Sequence, residues 1–573
     1  MNSPKPNTLW NRWQENAEKF PDRSAIIHWV AGEEPIRISF KELIETAKKF
    51  SIMIHKSGIK KGDVCAIIIK HNPLFYPLYL GIIRTGVLPS ILAYPNPRLH
   101  PDKFRQGLEG MAQRSGLDYM LIQSDLESLV KPLVEKPGST IKSIFHPLEW
   151  NLDAEFHPKI DEEIESISQT IDENDALLLQ HSSGTTGLQK PVILSHAAVL
   201  KHVKNFGKAL KFNEKDIIST WLPLYHDMGL IGAFHLPLAY GIPSIQIDPF
   251  EWVLAPIIHL ESISKERATV GFLPNFAYNI YAEKIHDEEL AELDLSSLRL
   301  LVNASEPIRH DSHQKFADKM MNYGFNPLAL TGMYGMAEMT LSVIQTEPGT
   351  KIKEVTVDRN KLSNGIVELA TENSVPRVCV SSGKLIDGCQ IKIVDDNRNL
   401  IPKNLVGEIA VKSVSQFDGY RNYPEKTAEV VDQEGWYYSG DYGFEYEGEY
   451  FIIGRKKDII IVAGKNIYPE DIEDAINQVN GVIPGRVIAF GEDDAAMGTE
   501  FVSVVAETKY ETNEQKNELR IAILRAGMSI DVVIHKVYIV PARWLIKSSS
   551  GKPSRKANKE RLTEENDPQV WSK

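Results

Sequence analysis

The chain has 573 residues, 42% hydrophobic and 25% charged, which is ordinary globular composition and enough for two or more packed domains. A formal net charge of −13 excludes a nucleic-acid partner held by charge, because phosphate contacts need Lys and Arg in excess. Cys65, Cys379 and Cys389 form no C-x-x-C and cannot all pair, so they read as free thiols in a reducing compartment rather than staples, redox centres or metal ligands.

No apolar core follows Met1 to Asn7, which therefore do not read as a signal peptide. Residues 74–83 are the most apolar run; they contain Pro77, are followed by Arg84 and fall short of the ~20 residues of a membrane helix. The expectation is a soluble, cytoplasmic chain with no membrane span.

Short apolar runs at 64–69, 119–122, 176–179, 244–247 and 298–302 predict buried strands, and the spacing of 40–57 and 196–210 predicts helices. This alternation implies an α/β fold with mostly parallel sheets flanked by helices. From about Cys379 the pattern turns to short strands and tight turns, as at 390–394 and 407–411, predicting a small β-barrel-like subdomain over 379–455. The expected division is a large domain over 1–455 and a smaller α+β domain over 456–573. Ligands in open α/β sheets bind beyond the carboxyl ends of strands, so motifs that follow strands can converge on one crevice.

Four motifs carry chemistry. Residues 179–190, Leu-Gln-His-Ser-Ser-Gly-Thr-Thr-Gly-Leu-Gln-Lys, follow a predicted strand. Gly184 and Gly187 let backbone approach phosphates, Ser182, Ser183, Thr185 and Thr186 supply hydroxyls, and Lys190 supplies charge. The spacing is not that of G-x-x-x-x-G-K-[ST]. The second motif pairs Thr331-Gly-Met-Tyr-Gly-Met-Ala-Glu338 with Asn303-Ala304-Ser305-Glu306, each closing a strand. In the third, Ser439-Gly-Asp441 precedes Gly454-Arg455-Lys-Lys457-Asp458. The fourth is the basic run Ser550-Gly-Lys552-Pro-Ser-Arg555-Lys556.

Together these motifs resemble the adenylate-forming superfamily, which includes acyl-CoA synthetases, adenylation domains and luciferases. The resemblance spans most of the chain. Residues 223–230, residues 274–278 and a long gap between Glu338 and Gly383 favour its fatty acyl-AMP ligase branch. It implies ATP and Mg²⁺ as cofactors and a fatty or related carboxylic acid as substrate. It also implies an acyl carrier protein thiol as acceptor and a mobile carboxy-terminal domain. By the same resemblance, Ser182, Ser183, Gly184, Thr186, Gly187 and Lys190 hold phosphates. Asn303, Ala304, Ser305, Met333, Tyr334 and Gly335 surround adenine, and Asp441 and Arg455 hold ribose. Glu338 is the metal ligand, and Lys552, Glu338 and Thr185 are the catalytic set. Lys457 is the hinge, and His226, Phe234 and Phe276 line the acyl pocket. Residues 355–377 resemble the insertion that restrains the lid and disfavours coenzyme A. Competing expectations are an acyl-CoA synthetase and a non-catalytic nucleotide or acyl sensor. A sensor would tolerate losing one of Glu338, Asp441, Arg455 and Lys552, and all are present.

Overall fold

The computed structural model describes residues 6–95, 101–153, 158–181, 190–462, 465–494, 499–547, 553–564 and 570–572. Its largest sheet has nine strands: β1 (Ser24–Trp29), β2 (Ile36–Ser39), β3 (Ile218–Thr220), β4 (Ser244–Ile247), β5 (Val270–Pro274), β6 (Leu300–Ala304), β7 (Leu330–Gly335), β8 (Ser342–Gln345) and β9 (Lys384–Leu385). Their order is β9-β8-β7-β6-β5-β3-β4-β1-β2. The six central strands, β7 to β1, run parallel; β8, β9 and β2 pair antiparallel at the edges. A parallel interior covered on both faces explains the unbroken apolar runs. β5 and β6 are buried at every residue.

A second parallel sheet combines Leu88–Ile91, Val64–Ile68, Tyr119–Ile122 and Ser143–Phe145. The helix Phe40–Lys56 begins with a capping box of Ser39 and Glu42 and buries Phe40, Leu43, Ala47 and Phe50. Antiparallel strands Cys389–Val394, Gly407–Ser413, Tyr437–Tyr446 and Glu449–Arg455 form the β-rich layer. Beyond Arg455 lie the helix Pro469–Asn477 and a sheet of Val482–Asp494, Thr499–Thr508, Ile534–Pro541 and Trp571–Ser572. These last elements bury their own apolar cluster, from Ile460 to Ile539. All three cysteines are free. Among the described residues no helix is long and apolar enough to cross a membrane.

Candidate active site

β7 runs straight into the acidic motif. A side chain at Gly335 would meet Leu341 O at 1.7 Å, so only glycine allows β8 to pair here. The turn Ala337–Met339 and Thr340, at φ +67°, then reverse the chain. A non-glycine residue in that conformation costs about 1–3 kcal/mol and persists only where its surroundings hold it. Thr340 Oγ1 donates to Ser415 O at 2.6 Å, and Phe417 N–H donates to Glu338 O at 2.8 Å. Glu338 is thereby presented buried, 7% exposed, with Oε1 accepting from Tyr420 Oη at 2.7 Å. The Lys190 ammonium stands 4.6 Å from the centre of the Tyr420 ring. Backbone bonds Ile193 N to Gly419 O, Asp418 N to Ile193 O and Arg421 N to Pro191 O lace Tyr420's loop to the strand Pro191–Ser195, which follows Lys190. Burial and the Glu338 carboxylate push the Tyr420 phenol up, so it stays a proton donor.

A second cluster adjoins it. Asp441 and Arg455 are direct cross-strand partners, with Arg455 Nε 3.2 Å from Asp441 Oδ1. Tyr334 Oη donates to Asp441 Oδ2 at 2.9 Å. The Asp441 carboxylate beside it pushes the Arg455 guanidinium above its ordinary value. A carboxylate offers about four lone-pair sites, so Asp441 can still accept from two hydroxyls. Lys457 sits in the turn Lys456–Asp458; burial and the neighbouring Arg455 lower its ammonium, and Lys190 repels it too. Lys190 and Lys457, 267 positions apart in sequence, thus act on one another electrostatically.

Asn303 is fully buried and donates to Asn275 Oδ1 and His313 Nε2, and Ala304 is buried beside it. Ser305 takes φ +70°, its hydroxyl 3.9 Å from Met228 Sδ, and Met333 is buried in β7. Phe276 opens the helix Asn275–Lys284 and its N–H donates to Glu306 Oε2 at 3.0 Å, next to Ser305. His226 lies 4.9 Å from the Tyr225 ring in the loop before Met228. Phe234 lies in the core, stacked on Tyr76 and edge-on to Tyr79 and His235. Ser182, Ser183, Gly184, Thr185, Thr186, Gly187 and Lys552 lie outside the described residues.

The residues flanking Lys552 are described. Lys547 bridges Pro553, and Asn558 holds Ile546 through both the backbone N–H and the carbonyl of Ile546. Arg555 pairs with Asp458 at 3.0 Å, Glu470 at 2.9 Å and Glu473 at 2.7 Å, tying the start of the helix Arg555–Glu564 to the Lys457 turn. The helix that bears Glu470 and Glu473, Pro469–Asn477, is gripped from the other side. Asp471 lies between Arg359 at 2.9 Å and Arg377 at 2.8 Å, and Asp474 meets Arg309 at 2.5 Å. Arg359 and Arg377 belong to the hairpin Glu354–Asp358 and Pro376–Val380, and Tyr468 packs into that hairpin's core with Val355, Val357 and Leu362.

Tyr420, Arg555 and Asp471 are absent from the candidates read off the sequence. Gly419-Tyr420 just past the strand Gly407–Ser413 was the available signal for the first.

Strand order and crevice together define the fold of adenylate-forming enzymes. The chain belongs to the AMP-binding enzyme family, whose profile matches residues 13–421. It is 28% identical to the medium-chain-fatty-acid–[acyl-carrier-protein] ligase JamA of Moorena producens, over 97% of this chain and 95% of that one. A putative acyl-CoA synthetase of Caulobacter vibrioides is 27% identical over 92% and 91%. The fatty acyl-adenylate ligase of L. pneumophila, solved with acyl adenylate and pyrophosphate, superposes with TM-score 0.73 at 26% identity, covering 99% and 98%.

Proposed function

We propose that this protein is a fatty acyl-AMP ligase. It joins a fatty acid to AMP at the expense of ATP, releases pyrophosphate and passes the acyl group to a carrier-protein thiol. The observation that carries this reading is the convergence, around the end of β7, of Glu338 and Lys190 on Tyr420 and of Tyr334 and Arg455 on Asp441. The relatives above support the fatty acid as substrate class.

In the reaction a carboxylate oxygen attacks the α-phosphorus, the bond to the bridging oxygen breaks and pyrophosphate leaves. Asp441 accepts from the ribose hydroxyls while Arg455 and Tyr334 fix its oxygens. Lys190 and Lys552 offset the repulsion between the incoming carboxylate and the nucleotide. No nucleophile of the protein is needed, so catalysis is positioning and electrostatics. Among the described residues no group of three or more His, Cys, Asp or Glu forms a metal cage. That fits Mg²⁺, which takes one or two carboxylates and keeps substrate phosphates in its shell. Glu338 would hold it, Tyr420 fixing one oxygen and leaving Oε2 outside that bond; the ion would neutralise phosphate charge.

The grip on Asp471 favours a carrier protein over coenzyme A. If it keeps the lid docked, the double variant Arg359→Ala/Arg377→Ala will release it. Breaking a buried pair costs about 3–5 kcal/mol; even a third of that falling on docking raises acyl-CoA output about tenfold. The variant should form acyl-adenylate at the parent rate. A Lys457→Pro change, which fixes φ at the turn, should slow thiol transfer more than adenylation; half-reactions followed separately check both. The function itself is tested by supplying ATP, Mg²⁺ and fatty acids, with and without coenzyme A or a pantetheinylated carrier. Acyl-adenylate and acyl-carrier are expected. Acyl-CoA formed by the parent protein as fast as adenylate would make it an acyl-CoA synthetase.

A further inference from the structure

Across the sheet, the residues that follow the strands form a row on the crevice side: Ser305 after β6, Phe276 after β5, Trp221 after β3 and Trp252 after β4. Trp221 and Trp252 stack face to face, centroids 3.6 Å apart and planes 4° from parallel, and are 5% and 1% exposed. Phe276 abuts both rings, at 6.2 and 6.1 Å. Both indole N–H groups donate to Tyr281 Oη, at 3.1 and 2.9 Å. His259 Nδ1 lies 2.7 Å from the same hydroxyl, and its Nε2 3.3 Å from Ser219 O. Burial keeps His259 neutral, at about 4, so Nε2–H donates to Ser219, Nδ1 accepts from Tyr281, and every polar atom of the cluster is satisfied. The indoles are locked, with both N–H groups spent on Tyr281, so the rings offer only apolar surface to a neighbour. On the far side, the helix Pro249–Leu254 that bears Trp252 shows Phe250, Val253 and Leu254 to solvent.

Resting on the adenylation reading above, we propose that the Trp221–Trp252 stack is the end wall of the acyl pocket and limits the enzyme to medium-chain acids. The acyl chain leaves the reacting carboxylate near Ser305, passes Phe276 and stops at the indoles. From β6 to β3 is two strand spacings, about 10 Å. An extended alkyl chain advances about 1.25 Å per carbon, given C–C bonds of about 1.5 Å. About eight carbons fit.

The test is acid-dependent exchange of labelled pyrophosphate into ATP, with unbranched acids from butyric to stearic, for the parent, Trp252→Ala and Trp252→Phe. In the parent, kcat/KM should climb about fourfold per methylene to an optimum near octanoic acid and then fall. Trp252→Ala should carry the optimum several carbons further, toward the exposed Phe250 and Leu254, and Trp252→Phe by less. Should the alanine variant fail to fold, the phenylalanine variant, smaller yet still aromatic, decides the matter. An unchanged optimum in a cooperatively folded variant, or a parent profile still rising at stearic acid, overturns the wall. No exchange with any acid by the parent would instead overturn the adenylation reading.

Discussion

Exchange of Lys552 for alanine is expected to lower adenylate formation by about 10²–10³, the loss typical of one well-placed charge contact to a transition state, about 3–4 kcal/mol. Thiol transfer from pre-made acyl-adenylate should be nearly untouched, because the lysine's task ends when pyrophosphate leaves. Arg555, three positions on, is held by Asp458, Glu470 and Glu473, and Lys547 bridges Pro553. Both half-reactions measured in the variant check the expectation; equal loss in both would make Lys552 a structural residue.

A Glu338→Gln change should cost as much, about 10²–10³ in exchange rate, by a different route. The amide keeps the shape and still accepts from Tyr420 but gives up the charge. Loss should therefore appear in chemistry and in the Mg²⁺ requirement together, with the melting temperature preserved. Tyr420→Phe separates the two contributions. It removes a hydrogen bond to a charged acceptor, worth about 1.5–3 kcal/mol, and lets the carboxylate turn. The half-saturating Mg²⁺ concentration for binding a non-hydrolysable ATP analogue should rise about 10- to 100-fold, while activity returns at saturating Mg²⁺. A Tyr420→Phe protein with the parent's Mg²⁺ dependence would show that the phenol merely packs.

The parallel strands were legible because strands buried on both faces read as continuous apolar runs: residues 244–247 and 119–122 lie where the pattern put them. Residues 298–302 became Leu300–Ala304, a slip at a boundary where Arg299 bonds Asp216 rather than entering the strand. Local motifs at strand ends were legible for the same reason, since glycine and acid just past a strand mark a crevice. Pairings between distant segments were not. Nothing in Gln416-Phe-Asp-Gly-Tyr420 names Glu338 as its partner, because the contact exists only once the β-rich layer folds against β7. Likewise Pro469-Glu-Asp-Ile-Glu-Asp474 reads as a solvated acidic helix; it is the three-sided grip of Arg309, Arg359 and Arg377 that gives its carboxylates a role. Phe234 shows the reverse limit: an aromatic in a motif-rich stretch is placed by packing with Tyr76 and Tyr79, which periodicity does not report.

The central claim is that one crevice, built on Glu338, Lys190, Tyr334, Asp441 and Arg455, adenylates a fatty acid. Exchange of labelled pyrophosphate into ATP measures that step alone, without any acceptor. The account predicts exchange that requires Mg²⁺ and a fatty acid and collapses in Glu338→Gln. Exchange absent with every acid supplied, or undiminished in Glu338→Gln, would contradict it.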